Sequence, residues 1–71
     1  MKYAIVNVKL AEELGIEHAR HKKSADKKRM VMNENELKLY GDPAQVAEDL
    51  DGELMSIYNI QKQINSKSWQ K

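Results

Sequence analysis

The chain of 71 residues has no cysteine and no phenylalanine, one proline, one tryptophan and three glycines. Without cysteine it can form no disulfide framework and no thiolate zinc site, and it carries no thiol nucleophile. Long apolar runs are missing too. The longest aliphatic run is Ala4-Ile5-Val6, far short of the ~20 residues that a membrane-spanning helix needs. Met1-Lys2 leads straight into a strand-like stretch, with no apolar h-region of a signal peptide. The expectation is a cytoplasmic protein without membrane contact. No G-x-S-x-G, no P-loop and no glycine-rich phosphate cradle occurs; Gly15, Gly41 and Gly52 all fall where helices should end. So short a chain also has little room to enclose a pocket on the order of several hundred Å3. These absences favour a non-enzymatic protein with no cofactor and no metal.

What remains is patterned as a small single α+β domain spanning 1–71. KYAIVNV (2–8) is rich in β-branched residues and alternates, with Tyr3 and Ile5 on one face and Ala4, Val6 and Val8 on the other. Both faces are apolar, which predicts a central strand covered on both sides. Asn7 then caps a short helix carrying Leu10 and Leu14, with Gly15 at its C′ position and Ile16 folding back at C″. Residues 17–33 read as a hairpin with its turn at Ser24–Asp26, a charged first strand at an edge, and a second strand over 28–32. Asn33 and Glu36 form a capping box, and Met32 with Leu37 forms a hydrophobic staple. That helix ends at Gly41, and Asp42-Pro43 starts the next, with Val46 and Leu50 inward and Gly52 as its stop. A last strand (54–57) and a helix with Ile57, Ile60 and Ile64 follow. Ser56 or Asn59 caps that helix, and residues 65–71 are expected to fray. The sum is a three- to four-stranded, mainly antiparallel sheet with short helices. One layer of helices would leave one sheet face open.

Charge is distributed in blocks. The net is +1, but residues 20–29 alone carry +5 and residues 30–54 carry −6. HARHKKSADKKR (18–29) holds the basic block. Arg20, Lys22, Lys23, Lys27, Lys28 and Arg29 are candidates for contact with nucleic acid or another polyanion, because such affinity begins with cations that displace phosphate counterions. The plainer reading is a solvated hairpin with a charged edge. No aromatic residue that could stack on a base lies within the segment; Tyr40 is the nearest in sequence. Pairing with the acidic 42–53 region of a second copy is a further option.

Other constellations are weaker. EHARH (17–21) places Glu and the two His in the wrong order and at the wrong spacing for H-E-x-x-H. DLDG (49–52) would put Ala47 and Tyr58 at the first and last ligand positions of an EF-hand loop, where carboxylates are required. Ser24 near His21 has no orienting acid. Trp69 sits among polar residues, where it either pins the last helix or serves with Tyr58 as an anchor for a protein partner. A homodimer or other partner covering the open sheet face is therefore the second functional expectation. Thin stability is common at this size, since a domain this small buries only about 60% of its unfolded surface.

Two resemblances accompany these readings. VKLAEELGI (8–16) resembles the first helix and turn of the helix-turn-helix in excisionases and mercury-resistance-type regulators, and KRMVMNENELKLY (28–40) resembles their wing strand and following helix. It implies DNA binding by a recognition helix. The sequence departs from that pattern: the segment between Ile16 and Lys28 reads as charged hairpin, which leaves no recognition helix. KYAIVN, the basic stretch, NENEL and the closing INS with a nearby Trp also resemble small uncharacterised proteins of bacterial phages and mobile elements. That likeness implies no activity.

Overall fold

The computed structural model describes residues 1–70. Its elements are β1 (Tyr3–Asn7), α1 (Val8–Glu13), β2 (Arg29–Asn33), α2 (Glu34–Lys38), α3 (Pro43–Asp49), β3 (Leu54–Met55), α4 (Ile57–Ile64) and α5 (Lys67–Gln70). The strands form one antiparallel sheet in the order β2-β1-β3. Tyr3 pairs with Asn33 and Asn7 with Arg29 on one side of β1, while Tyr3 pairs with Met55 and Ala4 with Leu54 on the other. The expected α+β class is the one observed. Among the described residues no helix is long and apolar enough to cross a membrane.

Local chemistry accounts for the helix ends. Asn7 accepts from the Leu10 N–H at 3.0 Å. Gly15 takes φ 77°, and the N–H groups of Gly15 and Ile16 donate to the carbonyls of Glu12 and Ala11. That is the paired bonding of a left-handed helix stop. Asn33 and Glu36 exchange both bonds of the capping box, and Met32 and Leu37 are buried together. Asp42 caps α3 with Pro43 in its first turn. Ser56 is the cap of α4, its Oγ accepting from Asn59 N–H at 3.4 Å. This cap converts residues 57 onward to helix, so β3 stops at Met55 instead of reaching residue 57.

Alternation along β1 divides the core. Ala4 and Val6 pack against α1, α2 and α3 through Ala11, Leu37, Val46, Ala47 and Leu50. Ile5 faces the other way, against Ile60 of α4 and Trp69 of α5, with Tyr3, Val31, Met55 and Ile64 around them. The open sheet face expected from sequence is therefore covered. Trp69 closes it and is only 4% exposed. Where the sequence suggests a frayed tail over 65–71, the chain turns through Ser66 into α5; Lys71 lies outside the described residues.

Two further expectations need correction. The first strand of the 17–33 hairpin reduces to a single bridge, Lys23 to Met30. Its sequence is nearly all charged, and only Lys22 and Ser24 add backbone bonds to β2. Residues 17–28 hold turns and that bridge, so no recognition helix follows α1. Leu14, expected within the same helix as Leu10 and on the same face of it, is 54% exposed, because α1 ends before it.

Gly52 does not itself take the left-handed position that ends α3. Asp51 does, at φ 62°, and Gly52 follows with its N–H bonded to Ala47 O. The reason for glycine is proximity: a Cβ there would stand 2.4 Å from the Ile5 carbonyl oxygen and 3.0 Å from Val6 Cγ1. Backbone cannot yield as a flexible side chain does. Gly52→Ala is expected to cost about 1–3 kcal/mol, the usual range for overpacking a core. Urea unfolding should show the loss as a lower midpoint at unchanged slope. A wild-type midpoint would show that β1 does not need this close approach.

Candidate functional site

The basic segment is organised by its turn. Ser24, 3% exposed, donates its hydroxyl to Asp26 Oδ1 at 2.6 Å and accepts from Arg29 N–H at 3.2 Å. Asp26 Oδ1 also accepts from Lys28 N–H at 3.0 Å. Ser24 N–H donates to Arg29 O, Lys27 N–H to Ser24 O, and Lys27 takes φ 61°. Ala25 N–H donates to Trp69 O at 2.8 Å, which fastens the turn to α5. The Ser24 hydroxyl first, and the Lys28 N–H second, hold the Asp26 carboxyl below its ordinary range; desolvation opposes them, and the charges of Arg29 and Lys28 add smaller lowering effects.

The six cations that sequence groups together do not form one face. Lys27 and Lys28 border a shallow groove with Asn7, Val8, Glu12 and Lys9. The groove is held shut at its base by Val8 N–H bonded to Lys28 O at 2.9 Å. Lys22 lies on the other side, in a groove with Lys23, Ala25, Ile64 and Trp69. Lys23 turns inward: its Nζ donates to the carbonyls of His18 and His21 and ties the loop together. Arg29 is half-buried, with its guanidinium 5.5 Å from the centroid of the Trp69 ring. It also lines a groove with Glu48, Asp51 and Glu53. This is where the basic and acidic blocks meet within one molecule. Arg20 borders a fourth region, about 590 Å3 of open groove shared with His21, Glu36, Leu39 and Tyr40.

The histidines have structural bonds. His18 Nε2 donates to Glu12 Oε1 at 2.6 Å, and His21 Nε2 to Glu36 Oε2. An ionised carboxylate can only accept, so Nε2 carries the proton in both rings. The Nδ1 atoms are buried without a partner among the described residues. These two bonds latch the 17–23 loop to α1 and α2. Among the described residues no group of three or more His, Asp or Glu is placed to hold a metal ion.

Sequence reasoning missed Lys9. It lies far from the basic block in the chain, and only the pairing of β1 with β2 carries the α1 N-terminus alongside Lys28. Among the described residues no ion pair involves Lys9, Lys27 or Lys28. Of the two anchors expected for a protein partner, Trp69 is committed to the core, whereas Tyr58 is 67% exposed on α4. No protein-family model, no curated protein and no solved structure matches the chain.

The turn generates a pH prediction. A carboxyl held low in the folded chain contributes fully above its unfolded-state value and loses that contribution as pH falls through the lowered one. Carbon-detected NMR titration should place the Asp26 midpoint below the ordinary aspartate value. The Lys28 amide should lose exchange protection over the same low-pH window. An ordinary Asp26 midpoint would mean that the Ser24 and Lys28 bonds do not hold the turn in solution.

Proposed function

We propose that this protein is a non-enzymatic binding module that contacts the phosphate backbone of nucleic acid through its basic turn. The observation that carries the proposal is the junction of Lys9, Lys27 and Lys28 around one groove. Glu12 is the one acid on that groove, and its carboxylate is already engaged by His18. Lys27 and Lys28 sit on a turn held by the hydrogen bonds of Ser24, Asp26 and Lys27, and Lys9 lies beside them on α1. These three ammonium groups, in no ion pair among the described residues, form a compact cationic surface. Such a surface attracts phosphates by counterion release and reads no sequence. Arg29 and Lys23, both candidates by sequence, act within the fold, the first on Trp69 and the second on loop carbonyls.

The salt dependence of binding to a labelled DNA duplex tests this. Lys9→Gln, Lys27→Gln and Lys28→Gln should each weaken binding and reduce the slope of log affinity against log salt by about 1. Lys23→Gln should instead lower thermal stability and leave the slope unchanged. Absence of binding at low salt would refute the proposal, and so would a slope that the three lysine variants do not alter.

A further inference from the structure

The sheet separates charge as well as core. On the Ala4–Val6 face, α1, α2 and α3 carry Glu12, Glu13, Glu34, Glu36, Glu48 and Asp49 against Lys9 and Lys38. The helices that cover the Ile5 face, α4 and α5, carry no acid: no Asp or Glu follows Glu53, and the two helices carry Lys62 and Lys67, while Glu48, Asp51 and Glu53 border the groove that Ile5 shares with Arg29 and Gln63. Both lysines are exposed. Lys22 extends this layer across the groove it shares with Ile64 and Trp69. The basic turn abuts the same layer through the bond from Ala25 to Trp69.

The outward side of α4 also carries an aromatic ring. Ile60 and Ile64 point into the core, so at 100° per residue Tyr58 and Lys62 project from the opposite side. Tyr58 is the most exposed aromatic side chain described, and the Lys62 ammonium stands 5.3 Å from its ring centroid. A contact between residues four apart on a helix is an ordinary surface pair worth a few tenths of a kcal/mol. That accounts for the pair, but not for a large ring left in water on a helix that carries lysine and no acid. The combination of an exposed ring and backbone-tracking cations is what single-stranded nucleic acid requires, because only an unpaired base offers its face for stacking.

We infer that the α4–α5 layer binds unpaired nucleotides, with Tyr58 as the stacking ring and Lys22, Lys62 and Lys67 as phosphate contacts. This rests on the nucleic-acid reading above and names the strand state that the module prefers. Lys62 covers one face of the ring, and a base stacks on the other. The neighbouring polar residues of α4, Asn59 and Gln61, add hydrogen-bonding groups without opposing charge.

Fluorescence anisotropy with a labelled oligothymidylate and a duplex of equal length, at low salt, tests the inference. The full chain should bind the single strand more tightly. Tyr58→Ala should weaken single-strand binding by roughly fivefold or more, the loss expected for one base–ring stack, and leave duplex binding unchanged. Tyr58→Phe should retain the wild-type affinity, and circular dichroism should show both variants folded. If duplex and single strand bind equally and Tyr58→Ala alters neither, the stacking site is wrong while the phosphate-contact reading stands. If neither ligand binds at low salt, the nucleic-acid reading falls, and this inference falls with it.

Discussion

The structure depends on the two-residue alternation of one strand. β1 pairs with β2 on one side and β3 on the other, so both of its edges are satisfied within the chain. Ala4 and Val6 supply one core, and Ile5 with Tyr3 supplies the second. A one-residue slip in register would exchange the two sets and turn side chains shaped for one layer into the other. The close approach of Gly52 to the Ile5 carbonyl and the bond from Asn7 N–H to Leu50 O hold the end of α3 to this strand. The helices on either face are short, and few of them would persist without the sheet beneath them.

This arrangement explains how a chain with little net charge can present strongly charged surfaces. Acidic helices gather on one face, and basic helices with the basic turn gather towards the other. Arg29 stands at the boundary, held over Trp69 and facing the acids of the α3 end. The charge that sequence concentrates in one block is thus distributed by the fold among distinct tasks. One lysine binds loop carbonyls, one arginine covers an indole, and the remaining lysines face solvent.

What could be read in advance was what is local. The Asn7, Asn33 and Asp42 caps, the Gly15 stop and the Ser24–Asp26 turn each involve residues within a few positions of one another, and each lies where its sequence indicates. The central strand was legible for the same reason, since its alternation is contained in a handful of residues. The grouping of Lys9 with Lys27 and Lys28 was not legible, because strand pairing creates it. The burial of Trp69 was one of two open readings that sequence could not decide between: its neighbours in sequence are polar, and its neighbours in space are Ile5 and Ile60. The Asp51–Gly52 stop shows the limit within a local motif. Glycine near a helix end suggested a left-handed residue, whereas contact with a distant carbonyl is what requires it.

The division into two cores also has a temporal meaning. A polypeptide leaves the ribosome from its N-terminus, and its parts can associate only once they have emerged. All the buried residues of the first core lie within residues 4–50, whereas the second lacks Ile60 and Trp69 until nearly the whole described chain is free. A nascent chain therefore has one side of its sheet complete while Ile5 and Val31 still face water. The indole of Trp69 is the last member of the second core to arrive, and its docking covers the sheet face that Ile5 and Val31 would otherwise show to neighbouring chains.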